Sequence, residues 1–267
     1  MDVAGHNLRS YRSALQTWHY ARSVRLLRCE EVLFDRLADE FKGKRILDIG
    51  VGGGRTTPFL RLISKNYMGI DYSPEMIARC RLRFPDVNFR VYDARKLGLM
   101  PVGSFDLVVF SFNGIDYMGH ENRLTVLKGV RRILAPGGAF LFASHNRRAP
   151  IIEPWSLGNL PLDVNPLRDP KDFLSRLAQY PLGIMNAARV RKHRRYYAEY
   201  ELRNDQGNQY ALITYYIHYQ DQVFQLTEQI GFTSVEGFDF AGALITPERS
   251  FENQEPWIYY LCRDGGS

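Results

Sequence analysis

Apolar and polar residues alternate along the middle of the chain in blocks that predict a series of strands and helices. The apolar blocks are short, as in strands that are buried on both faces, and amphipathic stretches separate them. Strands are predicted over residues 45–49, 67–71, 87–91 and 104–110, and a fifth follows a helix stop within residues 134–142. Regular alternation of strand and helix indicates a parallel sheet with helices on both faces.

The segments before and after this alternation have different patterns. Residues 1–42 are predicted to be helical, because apolar residues recur at helical spacing up to Phe41 and Gly43 follows the last of them. Residues 146–200 contain too many prolines to continue the alternation of strand and helix. Because this stretch also contains apolar residues, we expect it to be an ordered cap over the mouth of a substrate site.

The C-terminal part is predicted to return to regular structure. Residues 196–202 and 209–218 form two strands that are joined by a hairpin turn. A helix follows and ends at Gly231, and residues 233–238 and 257–262 form a closing pair of strands.

Composition narrows the class of protein without identifying it. Hydrophobic residues make up 45% of the 267 residues and charged residues 24%, as expected of a soluble globular protein, and no apolar run approaches the roughly 20 residues that cross a bilayer. Residues 1–6 lack the features of a signal peptide, and the three scattered cysteines suit a reducing compartment, so a cytoplasmic location is expected. The net charge of +6 permits an anionic substrate and does not require nucleic acid.

The most informative segment is a strand that continues into a glycine-rich turn, Arg45–Arg55, followed by a strand that ends in Asp71. Glycines allow a tight turn and a close approach of ligand to backbone. An acid at the end of the next strand can accept both hydroxyls of a ribose. A dinucleotide site of the G-x-G-x-x-G type would need a third glycine where Arg55 stands. The segment therefore predicts a site for a nucleoside-containing cofactor other than a dinucleotide.

The spacing Asp48-x-Gly50-x-Gly52-x-Gly54 resembles the first motif of the class I S-adenosylmethionine-dependent methyltransferases. Three further landmarks follow in the order typical of that family. They are Asp71 with a helix start at Ser73-Pro74, Asp93 after the third strand, and Leu134-Ala-Pro-Gly-Gly138 before the fifth. The resemblance implies S-adenosyl-L-methionine as the cofactor, with the glycine turn facing its methionine part and the acid after the third strand contacting the adenine.

The resemblance covers residues 45–144 and implies an α/β fold. The expected fold is a Rossmann-like, doubly wound, seven-stranded and mostly parallel sheet, with an N-terminal helical lid and an inserted cap before the last strands. A single methyltransferase domain then spans residues 1–267. Its parts are the lid (1–42), the cofactor-binding core (45–144), the inserted cap and hairpin (146–218), and the C-terminal helix and closing strands (219–267).

The resemblance also implies a set of cofactor-binding residues. They are Tyr20, Asp48, Gly50, Gly52, Gly54, Thr56, Asp71, Tyr72, Met76, Asp93, Ala94, Arg95, Ser111, Phe112 and Asn113. Four of these positions (50, 71, 93 and 111) fall at predicted carboxyl ends of strands, where parallel sheets bind their ligands. Their convergence on one edge of the sheet does not depend on the family resemblance.

A general base would distinguish methylation of a hydroxyl from methylation of an amine. A sulfonium methyl group is a strong electrophile, so orientation can suffice for an amine, whereas a hydroxyl needs a base because its own pKa is high. His145 follows the fifth strand directly and is the first candidate for this base. His218, at the end of the second cap strand, is the second candidate. A structural role is the alternative for both.

The acceptor is expected to be a small molecule that contacts the loops after the fourth and fifth strands and the cap. The residues expected to contact it are Asp116, Tyr117, Asn146 and Tyr215. We find no cluster of carboxylates at these strand ends, so no metal is predicted. A cap with many aromatic residues suits an enclosed pocket, and we expect a sugar, a glycan precursor or a secondary metabolite that is methylated on a hydroxyl or an amine.

Two other functions are consistent with the sequence. The basic run Arg189–Arg195, followed by two tyrosines, fits an RNA or protein methyltransferase, and it also fits an anionic small acceptor or a solvated rim. Nucleic acid is the less favoured partner, because no added binding domain is recognisable. The remaining alternative is that the protein binds the cofactor without catalysing a reaction. The intact glycines and acids of the cofactor motifs disfavour this alternative. No oligomeric state is predicted.

Overall fold

The structure is a computed structural model and is described for residues 25–265. The first part of the predicted lid, including Tyr20, lies outside the described residues. The described chain begins with helices and strands in alternation. They are α1 (Arg28–Ala38), β1 (Ile46–Ile49), α2 (Thr57–Ile63), β2 (Tyr67–Asp71), α3 (Pro74–Arg83), β3 (Asn88–Val91), β4 (Phe105–Phe110), α4 (His120–Ile133) and β5 (Leu134–Asn146).

The rest of the chain adds a long helix, three short strands and the closing strands. These elements are α5 (Pro170–Val190), β6 (Arg195–Tyr196), β7 (Tyr200–Asn204), β8 (Ile213–Ile217), α6 (Tyr219–Phe224), β9 (Ser234–Phe238), β10 (Leu244–Ile245) and β11 (Trp257–Arg263). A π-helical turn over Gln225–Ile230 extends α6 and ends at Gly231, which has a positive φ of 92°. This is where the sequence predicts the helix to end, because glycine adopts the left-handed conformation at little cost.

The central sheet has the strand order β3-β2-β1-β4-β5-β11-β9, with β10 at the outer edge. Strands β1 to β5 are parallel to one another, and β11 is antiparallel to both β5 and β9. The seven strands from β3 to β9 confirm the predicted doubly wound, mostly parallel frame. The sequence predicts seven strands, which matches this frame. The whole sheet within residues 25–265 has eleven strands, because β6, β7, β8 and β10 add to the frame.

Hydrophobic residues on the two faces of the sheet form two separate clusters. Alternate residues of β4 divide between them: Val108 and Phe110 belong to the cluster under α4, and Leu107 and Val109 belong to the cluster under α1, α2 and α3. A strand places successive side chains on opposite faces, so a continuous apolar strand requires helices on both. This explains why the strands read as unbroken apolar runs.

The proline-rich segment 146–200 contains a long regular helix. Helix α5 is 21 residues long and begins with Pro170 directly after Asp169, whose side chain accepts a hydrogen bond from the backbone N–H of Asp172. Proline fits the first turn of a helix because its missing N–H would have no partner there. Pro181 lies inside the helix.

The predicted hairpin of the cap is present, but it belongs to the main sheet. Strand β8 pairs in parallel with the end of β5, where His145 lies opposite Tyr216, and β7 pairs antiparallel with β8. On the other side, β5 pairs with β11 at the same residue. The hairpin therefore extends the sheet beyond the carboxyl end of β4, next to the expected ligand site.

Candidate functional site

A pocket of about 230 Å³ lies at the carboxyl ends of the parallel strands. The loops after β1, β2, β3 and β4 form its walls. Twelve of the residues predicted to bind the cofactor line it: Asp48, Gly50, Gly52, Thr56, Asp71, Tyr72, Met76, Asp93, Ala94, Arg95, Ser111 and Phe112. Tyr117, predicted to contact the acceptor, lines it as well.

The glycine turn after β1 orients the carboxylate at the end of β2. The backbone N–H of Gly52 donates to Asp71 Oδ2 at 3.0 Å, and the N–H of Ser73 donates to Asp71 Oδ1 at 2.9 Å. Gly50 has a positive φ, and a Cβ on it would lie 2.8 Å from the ring of Phe110. Burial raises the pKa of Asp71, although these backbone donors act in the opposite direction. The turn therefore needs glycine at position 50, and it holds Asp71 at the wall of the pocket.

Two other residues of the glycine motif support the turn from within the protein. Asp48 is buried and accepts hydrogen bonds from Thr56 Oγ1 at 2.6 Å and from the Tyr67 hydroxyl at 2.8 Å. Burial raises its pKa to about 6. A Cβ on Gly54 would lie 2.7 Å from the ring of Phe84, so Gly54 allows the turn to pack against the end of α3. Gly54 is not among the residues that line the pocket.

The acid after β3 is held by the residues that follow it. Asp93 accepts from the backbone N–H of Arg95 at 2.9 Å and pairs with the Arg95 guanidinium at 2.6 Å. Partial burial disfavours the charged form of Asp93, but the hydrogen bonds from Arg95 outweigh it and lower the pKa. Asp93 thus presents an ionised carboxylate at the end of the pocket remote from the glycine turn.

A buried carboxylate that the sequence analysis missed connects α1 to the pocket. Glu30 is fully buried and accepts hydrogen bonds from Arg55, from Ser111 Oγ at 2.6 Å and from the Tyr259 hydroxyl at 2.8 Å. Burial opposes its charge, but the hydrogen bonds and charge of Arg55 lower its pKa overall. Arg55 itself lines the pocket and lies over the ring of Phe112.

A signal for Glu30 was available in the sequence. It precedes Leu33, Phe34 and Leu37 at the spacing of a single helix face, so a helix that buries these three residues buries Glu30 as well. A charged residue on the apolar face of a helix is expected to have a partner.

The loop after β4 has a strained backbone at two predicted site residues. Phe112 and Asn113 both have φ of 57°, in the left-handed region that such residues seldom adopt. Phe112 lines the pocket, whereas Asn113 is buried behind it. The Asn113 amide nitrogen lies 3.3 Å from Nε2 of His145. This contact links the loop to the end of β5.

His145 forms a buried pair with Asp116. Its Nδ1 lies 2.9 Å from Asp116 Oδ2, and its backbone N–H donates to the same oxygen at 2.7 Å. Because a carboxylate oxygen can only accept, Nδ1 carries a proton, and Nε2 is the ring nitrogen that faces the Asn113 amide. His145 does not line the pocket.

Asp116 was expected to contact the acceptor, but the structure places it within the protein. It is completely buried, accepts from Ser144 Oγ at 3.0 Å and forms an ion pair with the buried Arg123. The Arg123 guanidinium also donates to Gln222. Asp116 therefore contacts His145 and Arg123 and does not line the pocket.

Three other predicted residues lie beside the pocket and not in its lining. Tyr215 is fully buried, and its hydroxyl lies 3.0 Å from Nδ1 of His120. The Asn146 amide donates to the carbonyl of Asn253 at 3.0 Å. His218 precedes α6, and burial together with the nearby charges of Arg147 and Arg148 lowers its pKa.

Tyr117, which lines the pocket, is held in place from the cap hairpin. Its hydroxyl donates to Asp205 Oδ2 at 2.7 Å, and the Asn208 amide donates to the same hydroxyl at 3.2 Å. Both partners come from the turn of the cap hairpin, and both are buried. The sequence analysis did not identify Asp205, because nothing in the sequence indicates that the hairpin turn reaches Tyr117. Within residues 25–265, no three His, Cys, Asp or Glu side chains are grouped to hold a metal ion.

Comparison with known proteins identifies a methyltransferase segment. Residues 46–138 match the sequence profile described as "Methyltransferase domain". Sequence similarity to S-adenosylmethionine-dependent methyltransferases supports the class I resemblance. The matched segment runs from the start of β1 to the start of β5 and includes the glycine turn, Asp71 and Asp93. The resemblance recognised from these residues is therefore confirmed.

Curated relatives are similar to this chain over less than half of its length. A probable S-adenosylmethionine-dependent methyltransferase of Mycolicibacterium smegmatis is 32% identical over 120 residues, which is 45% of each chain. A ubiquinone biosynthesis O-methyltransferase of Xanthomonas oryzae pv. oryzae is 27% identical over 113 residues, 40% of this chain and 46% of that protein. The chain thus spans about half the length of the curated relatives that it matches.

Solved structures share the fold over most of the chain. A methyltransferase from Mesorhizobium loti has a TM-score of 0.55 at 21% identity, covering 88% of this chain and 97% of its own. A second structure is a 1,6-didemethyltoxoflavin-N1-methyltransferase from Burkholderia thailandensis, solved with 1,6-didemethyltoxoflavin and S-adenosylhomocysteine. It has a TM-score of 0.55 at 14% identity, and the match covers 98% of this chain and 87% of that one. At these identities, the likeness concerns the fold.

Proposed function

We propose that the pocket binds S-adenosyl-L-methionine and that the protein transfers its methyl group to a small-molecule acceptor, on a hydroxyl or an amine. The observation that carries this proposal is the placement of Gly52, Asp71 and Asp93 along a single pocket at successive strand ends. A side chain at Gly52 would meet just the Gly50 carbonyl oxygen, at 3.9 Å, so it would project into open space. A ligand that lies on the turn needs that space.

The pocket residues fit the parts of this cofactor. Asp71 would accept the ribose hydroxyls, since its backbone donors orient both of its oxygens. Asp93 and the backbone beside it would meet the adenine. Arg55 would bring a positive charge to the glycine turn, where the carboxylate of the methionine part would lie. Its guanidinium is already oriented by Glu30.

The protein's contribution to the reaction is orientation and, for a hydroxyl, removal of a proton. The cofactor supplies an activated methyl group when it is bound. Tyr117 would orient the acceptor, because its hydroxyl is held at the pocket wall by Asp205. His145 would take the proton at Nε2, since Asp116 fixes the tautomer that leaves this nitrogen unprotonated. The acceptor would then replace the long 3.3 Å contact from Asn113.

Transfer of an isotopically labelled methyl group tests this function. The full-length protein is incubated with labelled S-adenosylmethionine and a soluble extract, and products are analysed by mass spectrometry. We expect the label in a small-molecule fraction, and no label in that fraction with the Gly52→Val variant. Label confined to RNA or protein would contradict the small-molecule acceptor. If the folded parent binds neither S-adenosylmethionine nor S-adenosylhomocysteine in calorimetry, the cofactor site is wrong as well.

A further inference from the structure

Exposed apolar residues are concentrated in the cap. Within residues 25–265, twelve of the 22 exposed large hydrophobic residues lie in the segment 151–197, which is about a fifth of the described chain. Single exposed apolar residues are common on soluble proteins, but a concentration of them marks a contact surface. The three with the largest exposed fractions before α5 are Leu157 at 69%, Leu162 at 78% and Leu167 at 93%.

Helix α5 has apolar residues on two opposite faces. One face packs on the protein through Gly183, Ala187 and Val190, which are buried. The other face is exposed and carries six apolar residues at helical spacing: Leu174, Leu177, Ala178, Pro181, Leu182 and Met185. We call this set the outer stripe. A helix that packs one face on its own protein normally presents polar residues on the other, so the outer stripe indicates a second contact.

Basic residues flank the C-terminal end of the outer stripe. Residues 186–195 contain five Lys or Arg and no acid. Arg194 bonds to Asn204, and Arg189, Arg191 and Lys192 are exposed. At the other end of the stripe, the charges of Arg168 and Lys171 are balanced by Asp169 and Asp172. An apolar stripe with a basic end is complementary to a surface that has an apolar interior and negative charge at its rim.

We propose that the outer stripe of α5 docks the protein on the surface of an anionic lipid bilayer. An amphipathic helix with a basic end lies in the plane of the interface, with its apolar side chains among the acyl chains and its cations near the phosphates. No helix in the described part of the chain is long and apolar enough to span a membrane, so the contact is peripheral.

Vesicle co-sedimentation with the full-length protein tests the proposal. We expect the parent to bind vesicles that contain phosphatidylglycerol and phosphatidylcholine, to bind pure phosphatidylcholine at least tenfold more weakly, and to be released by salt. The variant L174S/L177S/M185S should lose at least tenfold in partitioning to the anionic vesicles. The control variant L62S/L82S changes two leucines outside the cap that are more exposed than the stripe residues, and it should bind like the parent. Circular dichroism and binding of S-adenosylhomocysteine confirm that each variant is folded.

Four results would overturn the proposal. The first is a parent that does not bind anionic vesicles, and the second is equal binding by the two variants. The third is a parent that sediments as a dimer without lipid and becomes monomeric in L174S/L177S/M185S, because a second copy would then cover the stripe. The fourth is single-stranded RNA that binds to the basic residues and displaces the protein from vesicles. None of these results bears on methyl transfer, so the proposed function would stand or fall separately.

Discussion

Two regions at this pocket are built from different kinds of contact. The cofactor edge carries Asp71 and Asp93, and the acceptor wall is Tyr117 with the buried residues behind it, Asp116, Arg123 and His145. At the cofactor edge, Asp71 and Asp93 are held by backbone N–H groups, and the Asp93–Arg95 pair is partly exposed, with 28% and 34% of its side chains accessible. On the acceptor wall, the Asp116–Arg123 pair is completely buried and draws on side chains far apart in the chain. Changes at the edge should therefore affect ligand affinity, whereas changes behind the wall should also affect stability.

The largest expected effect is on the rate of methyl transfer when His145 is replaced. If the acceptor is a hydroxyl, His145→Ala should lower the single-turnover rate by about 10²–10⁴-fold, which is the usual contribution of a general base. Affinity for S-adenosylhomocysteine should change little, because His145 does not line the pocket. The rate is measured with the acceptor found by methyl labelling, and His218→Ala serves as the control. A variant with the parental rate would exclude His145 as the base and leave His218 or an amine acceptor.

The second effect tests the buried ion pair against the exposed one. Arg123→Met removes the buried cation beside Asp116 and should cost about 3–5 kcal/mol, because it leaves a buried carboxylate uncompensated. Arg95→Met removes a partly exposed partner of Asp93 and should cost less than about 1 kcal/mol. Urea unfolding at neutral pH measures both. Equal losses would contradict the contrast between wall and edge.

The third effect concerns the dependence of stability on pH at Asp48. Its pKa is raised by burial to about 6, so the folded state binds this proton more tightly than the unfolded chain, and the stability that this provides is lost as pH rises through about 6. The Asp48→Asn variant has no such charge. Its stability relative to the parent should increase by about 2–3 kcal/mol between about pH 4 and about pH 8.

A matched control reverses the sign of this pH dependence. The hydrogen bonds and charge of Arg45 lower the pKa of Asp106, so the stability that Asp106 provides is present above its ordinary pKa and lost as pH falls. Asp106→Asn should therefore lose stability relative to the parent as pH rises. The same direction for both variants in urea unfolding would contradict the assigned shifts.

The smallest expected effect is on cofactor affinity at the edge. Charge-assisted hydrogen bonds that ribose hydroxyls donate to Asp71 are worth about 1.5–3 kcal/mol, so Asp71→Ala should weaken S-adenosylmethionine binding at least tenfold in calorimetry. Asp86→Ala, at an exposed position before β3, should bind like the parent. Parental affinity in Asp71→Ala would show that the carboxylate does not hold the ribose.

The sequence by itself determined the cofactor edge. The apolar run before Gly50, the three spaced glycines and the acid at the end of the next strand are adjacent in the chain, and their contacts form locally or between neighbouring parallel strands. The start of α3 was predictable in the same way, since Ser73 accepts from the backbone N–H of Met76 and Pro74 follows it. Local backbone geometry and residue spacing carry this information.

The tertiary structure alone decided the acceptor wall. That β8 pairs with the end of β5, that Asp205 reaches Tyr117, and that Arg123 donates to Gln222 all depend on contacts between segments far apart in the chain. Hydrophobic spacing indicates that a strand or helix has a buried face but does not say which element will cover it. Polar partners brought together by folding leave no pattern of spacing, and for that reason a buried network and a pocket wall look the same in the sequence.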